Sequence, residues 1–171
     1  FDKNFKIENN LRIVDTFLNY DQAGTSSDKN STDDEEISYS FKLINEKNKT
    51  KNQLIYNKAY FKRGVGNNTA TGKTYYYGYR DTINFLSQYN FNLDNRIVFG
   101  LENEFDAANF DTWATSKSKK TDEAIYSQFF DYQFRPLNKL YLSLGGRIDR
   151  HTTSGTYETG RFTFAYNQDQ Y

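Results

Sequence analysis

The stretch Leu140-Tyr141-Leu142-Ser143-Leu144-Gly145-Gly146-Arg147-Ile148-Asp149 decides the fold class. Leu140, Leu142, Leu144, Gly146 and Ile148 fall on one face of an extended chain, and Tyr141, Ser143, Gly145, Arg147 and Asp149 fall on the other. Successive side chains of a strand point to opposite sides, so this is a strand between an apolar and a polar environment. The pattern recurs along the chain. Phe162, Phe164 and Tyr166 oppose Arg161, Thr163 and Ala165, and Ile97, Phe99 and Leu101 oppose Arg96, Val98, Gly100, Glu102 and Glu104. Eight strands are expected, at about 5–20, 36–45, 52–63, 74–91, 96–108, 123–135, 139–150 and 160–167.

The connections set the arrangement. Leu93-Asp94-Asn95 and Pro136-Leu137-Asn138 spell tight turns and Glu46 to Lys51 a short one. Ala23 to Asp34, Gly64 to Gly72, Phe110 to Thr121 and Thr152 to Gly160 spell longer polar loops. Short and long connections alternate, which in an antiparallel meander gathers the turns at one end and the loops at the other. With strands of about ten residues or more, the expectation is all-β: an antiparallel up-and-down transmembrane β-barrel segment with short periplasmic turns and long extracellular loops. A lipid-facing sheet pairs its backbone groups and shows apolar side chains on one face only, so a mean hydropathy of −0.92 is compatible with spanning.

In the fourth strand Tyr75, Tyr77 and Tyr79 stand near the loop end, Ile83 and Phe85 midway, and Tyr89 and Phe91 at the turn end. Two aromatic girdles are the natural reading. Asp81 and Ser87 share that face and call for a bulge, a register change or a different facing. The competing fold is a soluble β-sandwich or a lipocalin-like barrel, in which the same alternation separates core from water.

Composition removes other classes. No apolar run approaches the roughly 18 residues of a membrane-spanning helix. Lys+Arg and Asp+Glu are 22 each, so no general electrostatic case exists for nucleic acid. Without cysteine there is no disulfide, zinc-thiolate or thiol-nucleophile chemistry. His151 is the only histidine, which rules out a site needing two imidazoles. Gly72-Lys73-Thr74 lacks an upstream glycine at phosphate-loop spacing, and Gly64-Val65-Gly66 lacks the third glycine of a dinucleotide loop. No catalysis is expected.

Three sets of candidate site residues remain. Phe110 and Trp113 stand in a polar loop and, with Tyr20, are candidate ligand contacts. Asp21, Asp28, Asp33 and Asp34 are oxygen donors for calcium, the one cofactor considered. Glu102, Glu104, Arg147 and Asp149 occupy polar strand faces and are expected to form a network in the lumen.

From about Arg96 to Tyr166 the motifs follow a recognisable order. Gly100-Leu101-Glu102 comes first, then Ile125-Tyr126-Ser127-Gln128, then the Leu140 to Asp149 stretch, then Arg161 through Ala165-Tyr166. This order resembles the barrel of TonB-dependent outer-membrane receptors, most nearly the cobalamin transporter branch. The resemblance implies a bacterial outer-membrane receptor and transporter for a metal-chelate nutrient, cobalamin first and an iron siderophore second. It implies contact with outer-membrane lipid, ligand capture at extracellular loops, and drive from the TonB energy-coupling complex through a plug domain. It also implies loop aspartates that bind calcium, Asp21 being the position that matches.

The chain departs from the family in several places. His151-Thr152-Thr153-Ser154-Gly155 lacks the Phe-Gly that often follows the R-x-D of relatives. Neither a plug nor an energy-coupling box is recognisable, and the family's barrels have more strands than eight. Asn167 and Asp169 occupy places that a barrel's final strand gives to apolar residues. Residues 1–171 are therefore expected to be a partial barrel domain without its plug and remaining strands. The alternatives are a closed eight-stranded structural or adhesive membrane barrel and a soluble lipocalin-like ligand binder.

Overall fold

The computed structural model describes residues 4–20, 30–67, 73–112 and 117–167. Its strands are β1 (Phe5–Tyr20), β2 (Asn30–Lys47), β3 (Thr50–Asn67), β4 (Lys73–Asn90), β5 (Asn95–Thr112), β6 (Lys117–Leu137), β7 (Leu140–His151) and β8 (Gly155–Tyr166). They form one antiparallel up-and-down sheet in the order β1-β2-β3-β4-β5-β6-β7-β8. Among the described residues there is no helix, and β1 and β8 do not pair, so the sheet is open. The closed eight-stranded arrangement is not the one observed.

Several strands outrun their expected ends, at the cost of the loops. β2 begins at Asn30, β5 runs to Thr112, β6 begins at Lys117 and β8 begins at Gly155. The expected loop from Thr152 to Gly160 shrinks to the turn Thr152–Ser154, shorter than the supposedly tight bend Phe91–Asp94. The strict alternation of short and long connections fails there. Polarity was the misleading signal, because these extensions are ribbons held by cross-strand side-chain pairs such as Arg63 with Asp34 and Lys62 with Glu35.

Local chemistry accounts for the turns. Asn48 adopts φ 53° between β2 and β3, a left-handed conformation that asparagine tolerates. Pro136, which has no N–H to give the ladder, lies where the β6–β7 register shifts between Phe134 and Leu137.

From β1 to β6 the register is unbroken, so residues directly opposite share a face. One face carries Ile7, Leu11 and Ile13 of β1, Leu54 of β3, Ile83 and Phe85 of β4, Phe99 and Leu101 of β5, and Phe130 of β6, all exposed. It continues through Leu144 and Ile148 of β7 to Phe162 and Phe164 of β8. Among the described residues the only buried hydrophobic side chain is Ile44, at 9% exposure. A soluble domain is built around a buried apolar layer, and here that layer lies open.

Asp81 and Ser87 do belong to this face, and no bulge moves them. Each is satisfied across the strand. Lys58 lies opposite Asp81 with Nζ 3.5 Å from the carboxylate, and the Tyr56 hydroxyl donates to Asp81 at 2.9 Å. Ser87 Oγ donates to Asn52 Oδ1 at 2.8 Å, and the Tyr39 hydroxyl donates to Asn9 at 3.1 Å.

The apolar residues form a band oblique to the strands. On β1 the main run goes from Ile13 to Phe5, with Asn9 midway and Phe17 standing apart beyond Asp15; on β8 they run from Phe162 to Tyr166, with Phe164 midway. Following paired residues from Asn9 across the sheet, through Phe41, Tyr56, Ile83, Asn103, Tyr126 and Arg150, leads to Thr156. Phe164 stands eight residues beyond Thr156. Eight residues are about 26 Å along a strand and seven strand spacings about 34 Å, so the band departs from the perpendicular to the strands by about 38°.

Candidate functional site

At the loop end of the polar face lies an open cavity of about 1070 Å³. Two adjacent rows of paired residues build its floor. One runs Val14, Glu36, Phe61, Gly78, Ala108, and the next runs Thr16, Asp34, Arg63, Tyr76, Phe110. Tyr76 and Phe110 stack almost parallel, with ring centroids 5.8 Å apart and planes 5° from each other. Phe61 lies flat across Gly78, where an added Cβ would come within 1.8 Å of its ring. Only glycine admits this placement.

Charge is confined to paired groups. Arg63 Nε and Nη2 donate to the two oxygens of Asp34 at 2.8 and 2.9 Å, a bidentate contact that raises the guanidinium pKa above its ordinary value. Arg12 Nη1 donates to Glu36 at 3.0 Å. The cavity therefore offers flat apolar surfaces beside fixed hydrogen-bonding groups, an assembly suited to holding a ligand.

Phe110, expected in a loop, lies in β5 two residues before its end at Thr112, within this lining. Tyr20 ends β1 on the same face, four residues beyond Thr16 and outside the lining. Trp113, Asp21 and Asp28 lie outside the described residues. Asp33 and Asp34 belong to β2 and not to a loop; they point to opposite faces, Asp33 pairing with Lys73 and Asp34 with Arg63. Two carboxylates so placed do not converge on one ion. Tyr76 and Phe61 were missed. Counting alternate residues puts Tyr76 opposite the girdle tyrosines Tyr75 and Tyr77, and that signal was there to be read.

Further toward the turns the polar face carries the expected network in altered form. Arg147 donates to Asp149 at 2.8 Å, to Ser127 Oγ at 2.9 Å and to Glu102 at 3.3 Å, and Ser127 donates to Asp149 at 2.5 Å. Glu102, Ser127 and Asp149 form one register row, which brings them together. Glu104 does not join them. It pairs with Arg80 at 3.4 Å, whose guanidinium also holds Asp106. A third cluster joins Arg161, Gln133 and Ser143 on Asp131, which is 8% exposed.

No protein-family model matches the chain, and no curated protein matches it.

Proposed function

We propose that this chain is a section of the wall of a bacterial outer-membrane barrel that takes up a metal-chelate nutrient, cobalamin first and an iron siderophore second. The observation that carries the reading is the oblique apolar band. Strands of membrane barrels tilt by roughly 35–45° from the membrane normal, so a belt parallel to the membrane must depart from the perpendicular to the strands by that angle. The band's slope of about 38° falls within this range.

Girdle spacing supports the same reading. Tyr79 packs against Tyr60 with ring centroids 5.1 Å apart, while Tyr89, Phe91, Tyr132 and Phe134 cluster at the turn end. The ten residues from Tyr79 to Tyr89 span about 33 Å along the strand, or about 25 Å once tilted, the height of a barrel's apolar belt. The polar face then becomes the lumen, its Arg–carboxylate pairs forming a neutral wall. The cavity at the loop end is the place of ligand capture, and energy coupling enters through a plug outside this sheet. The protein binds and passes its ligand without chemical change.

The test is a titration of the full-length protein with cobalamin and with ferric siderophores. Tyr76→Ala and Phe110→Ala are expected to weaken binding about tenfold each, as lost stacking of roughly 1–2 kcal/mol implies. Unchanged affinity in both variants would remove the cavity from the account.

A further inference from the structure

On the apolar face a groove of about 750 Å³ runs between Ile83, Leu101 and Ile148, and its loop end is polar. Asn103, Tyr126 and Arg150 are neighbours in one register row there, and Gln128 stands beside Tyr126 on the same face. Each is anomalous on a lipid-facing surface. Arg150 is exposed and has no ion-pair or hydrogen-bond partner among the described residues. The nearest outward carboxylate in the register, Glu158, makes no ion pair with it. Asn103 Oδ1 is buried without a donor, and Gln128 has no hydrogen bond among the described residues.

Their height explains what they meet. Ile148 is the last apolar residue of β7 before the loop, and Arg150 is the next outward position; on β6 Tyr126 is the corresponding edge. An arginine just beyond the apolar edge stands at headgroup level, where an unpaired guanidinium seeks an anionic oxygen. Gln128, exposed in the groove lining, offers an amide N–H and a carbonyl oxygen, and a headgroup hydroxyl can accept from the first and donate to the second where a phosphate diester cannot donate. We infer that this groove binds an anionic lipid whose headgroup carries both phosphate and hydroxyl groups. The phosphate meets Arg150, a headgroup hydroxyl meets Gln128, and an acyl chain lies along Ile83, Leu101 and Ile148. The inference rests on the membrane reading above and adds a specific lipid site to it.

The test uses the full-length protein in phosphatidylcholine nanodiscs with spin-labelled phosphatidylglycerol, phosphatidic acid or phosphatidylcholine as probe. Phosphatidylglycerol is expected to be preferred over phosphatidylcholine about fivefold, the scale of one basic residue at an anionic surface. Arg150→Gln is expected to abolish that preference, while Arg96→Gln, on the opposite face, leaves it intact. Gln128→Leu is expected to reduce the preference for phosphatidylglycerol over phosphatidic acid, which lacks the glycerol hydroxyls. Retention of the full preference in Arg150→Gln, or its absence in the unaltered chain, overturns the lipid site alone. A chain that does not enter the bilayer overturns the membrane reading as well.

Discussion

Lys58 and Asp81 lie directly opposite each other on β3 and β4, with Nζ 3.5 Å from the carboxylate, on the face that carries Leu54, Ile83 and Phe85. In lipid each charge alone would be costly, and the pair with its Tyr56 hydrogen bond makes both tolerable. On the membrane reading, Lys58→Met leaves Asp81 without its cation and is expected to destabilise the folded state by about 1 kcal/mol, the upper end of the cost of a lone charge near a barrel's interface. The double variant Lys58→Met, Asp81→Leu is expected to recover most of that loss. Urea unfolding from vesicles measures both, and simple additivity of the two substitutions would argue against a coupled pair.

The contact of Phe61 with Gly78 gives a second test. Gly78→Ala places a methyl inside the ring's present position, so Phe61 must swing away or the strands must part. Overpacking of this kind costs about 1–3 kcal/mol, and the cavity floor moves with it. The expected result is lower stability together with weaker ligand binding. Combining it with Phe61→Leu should restore stability; if the double variant is no better than Gly78→Ala alone, the ring is not the cause.

Glu123 fastens the turn between β7 and β8. Thr153 Oγ1 donates to it at 2.5 Å and His151 Nδ1 lies 3.3 Å away, and these contacts lower its pKa below the ordinary value of 4.5. A folded-state pKa below the unfolded one contributes stability above the unfolded value, lost as pH falls through the folded one. Acidification from pH 6 to pH 3 is therefore expected to loosen the turn. Exchange of the Thr152 amide, bonded to the Ala124 carbonyl at 3.0 Å, reports it once corrected for intrinsic rates. Glu123→Gln should remove the pH dependence, and its persistence in that variant would assign the effect to another group.

The period-two alternation made the eight strands and their antiparallel order legible, because Leu140 to Ile148 and its counterparts separate two environments residue by residue. Strand ends were not legible where both faces turn polar: Asp34 read as loop and Glu35 fell outside the expected strand, although they pair across to Arg63 and Lys62 of β3. The partnership of Asp81 with Lys58 depends on a register between two strands, which neither strand's own pattern contains. The same holds for the site. Phe110 was visible as an aromatic in polar surroundings, but its stacking on Tyr76 needed the alignment of β4 with β5. Glu104 pairs with Arg80 and not with Arg147; alternation along β4 put Arg80 on that face, but its neighbourhood with Glu104 needed the alignment of β4 with β5.

The central claim is that the oblique apolar band lies in the plane of a membrane, and polarised infrared dichroism of the full-length protein in oriented bilayers tests it most directly. The account predicts an average strand tilt of roughly 35–45° from the bilayer normal, matching the slope read across the sheet. Strands lying flat on the bilayer, or amide bands without orientation, would contradict it.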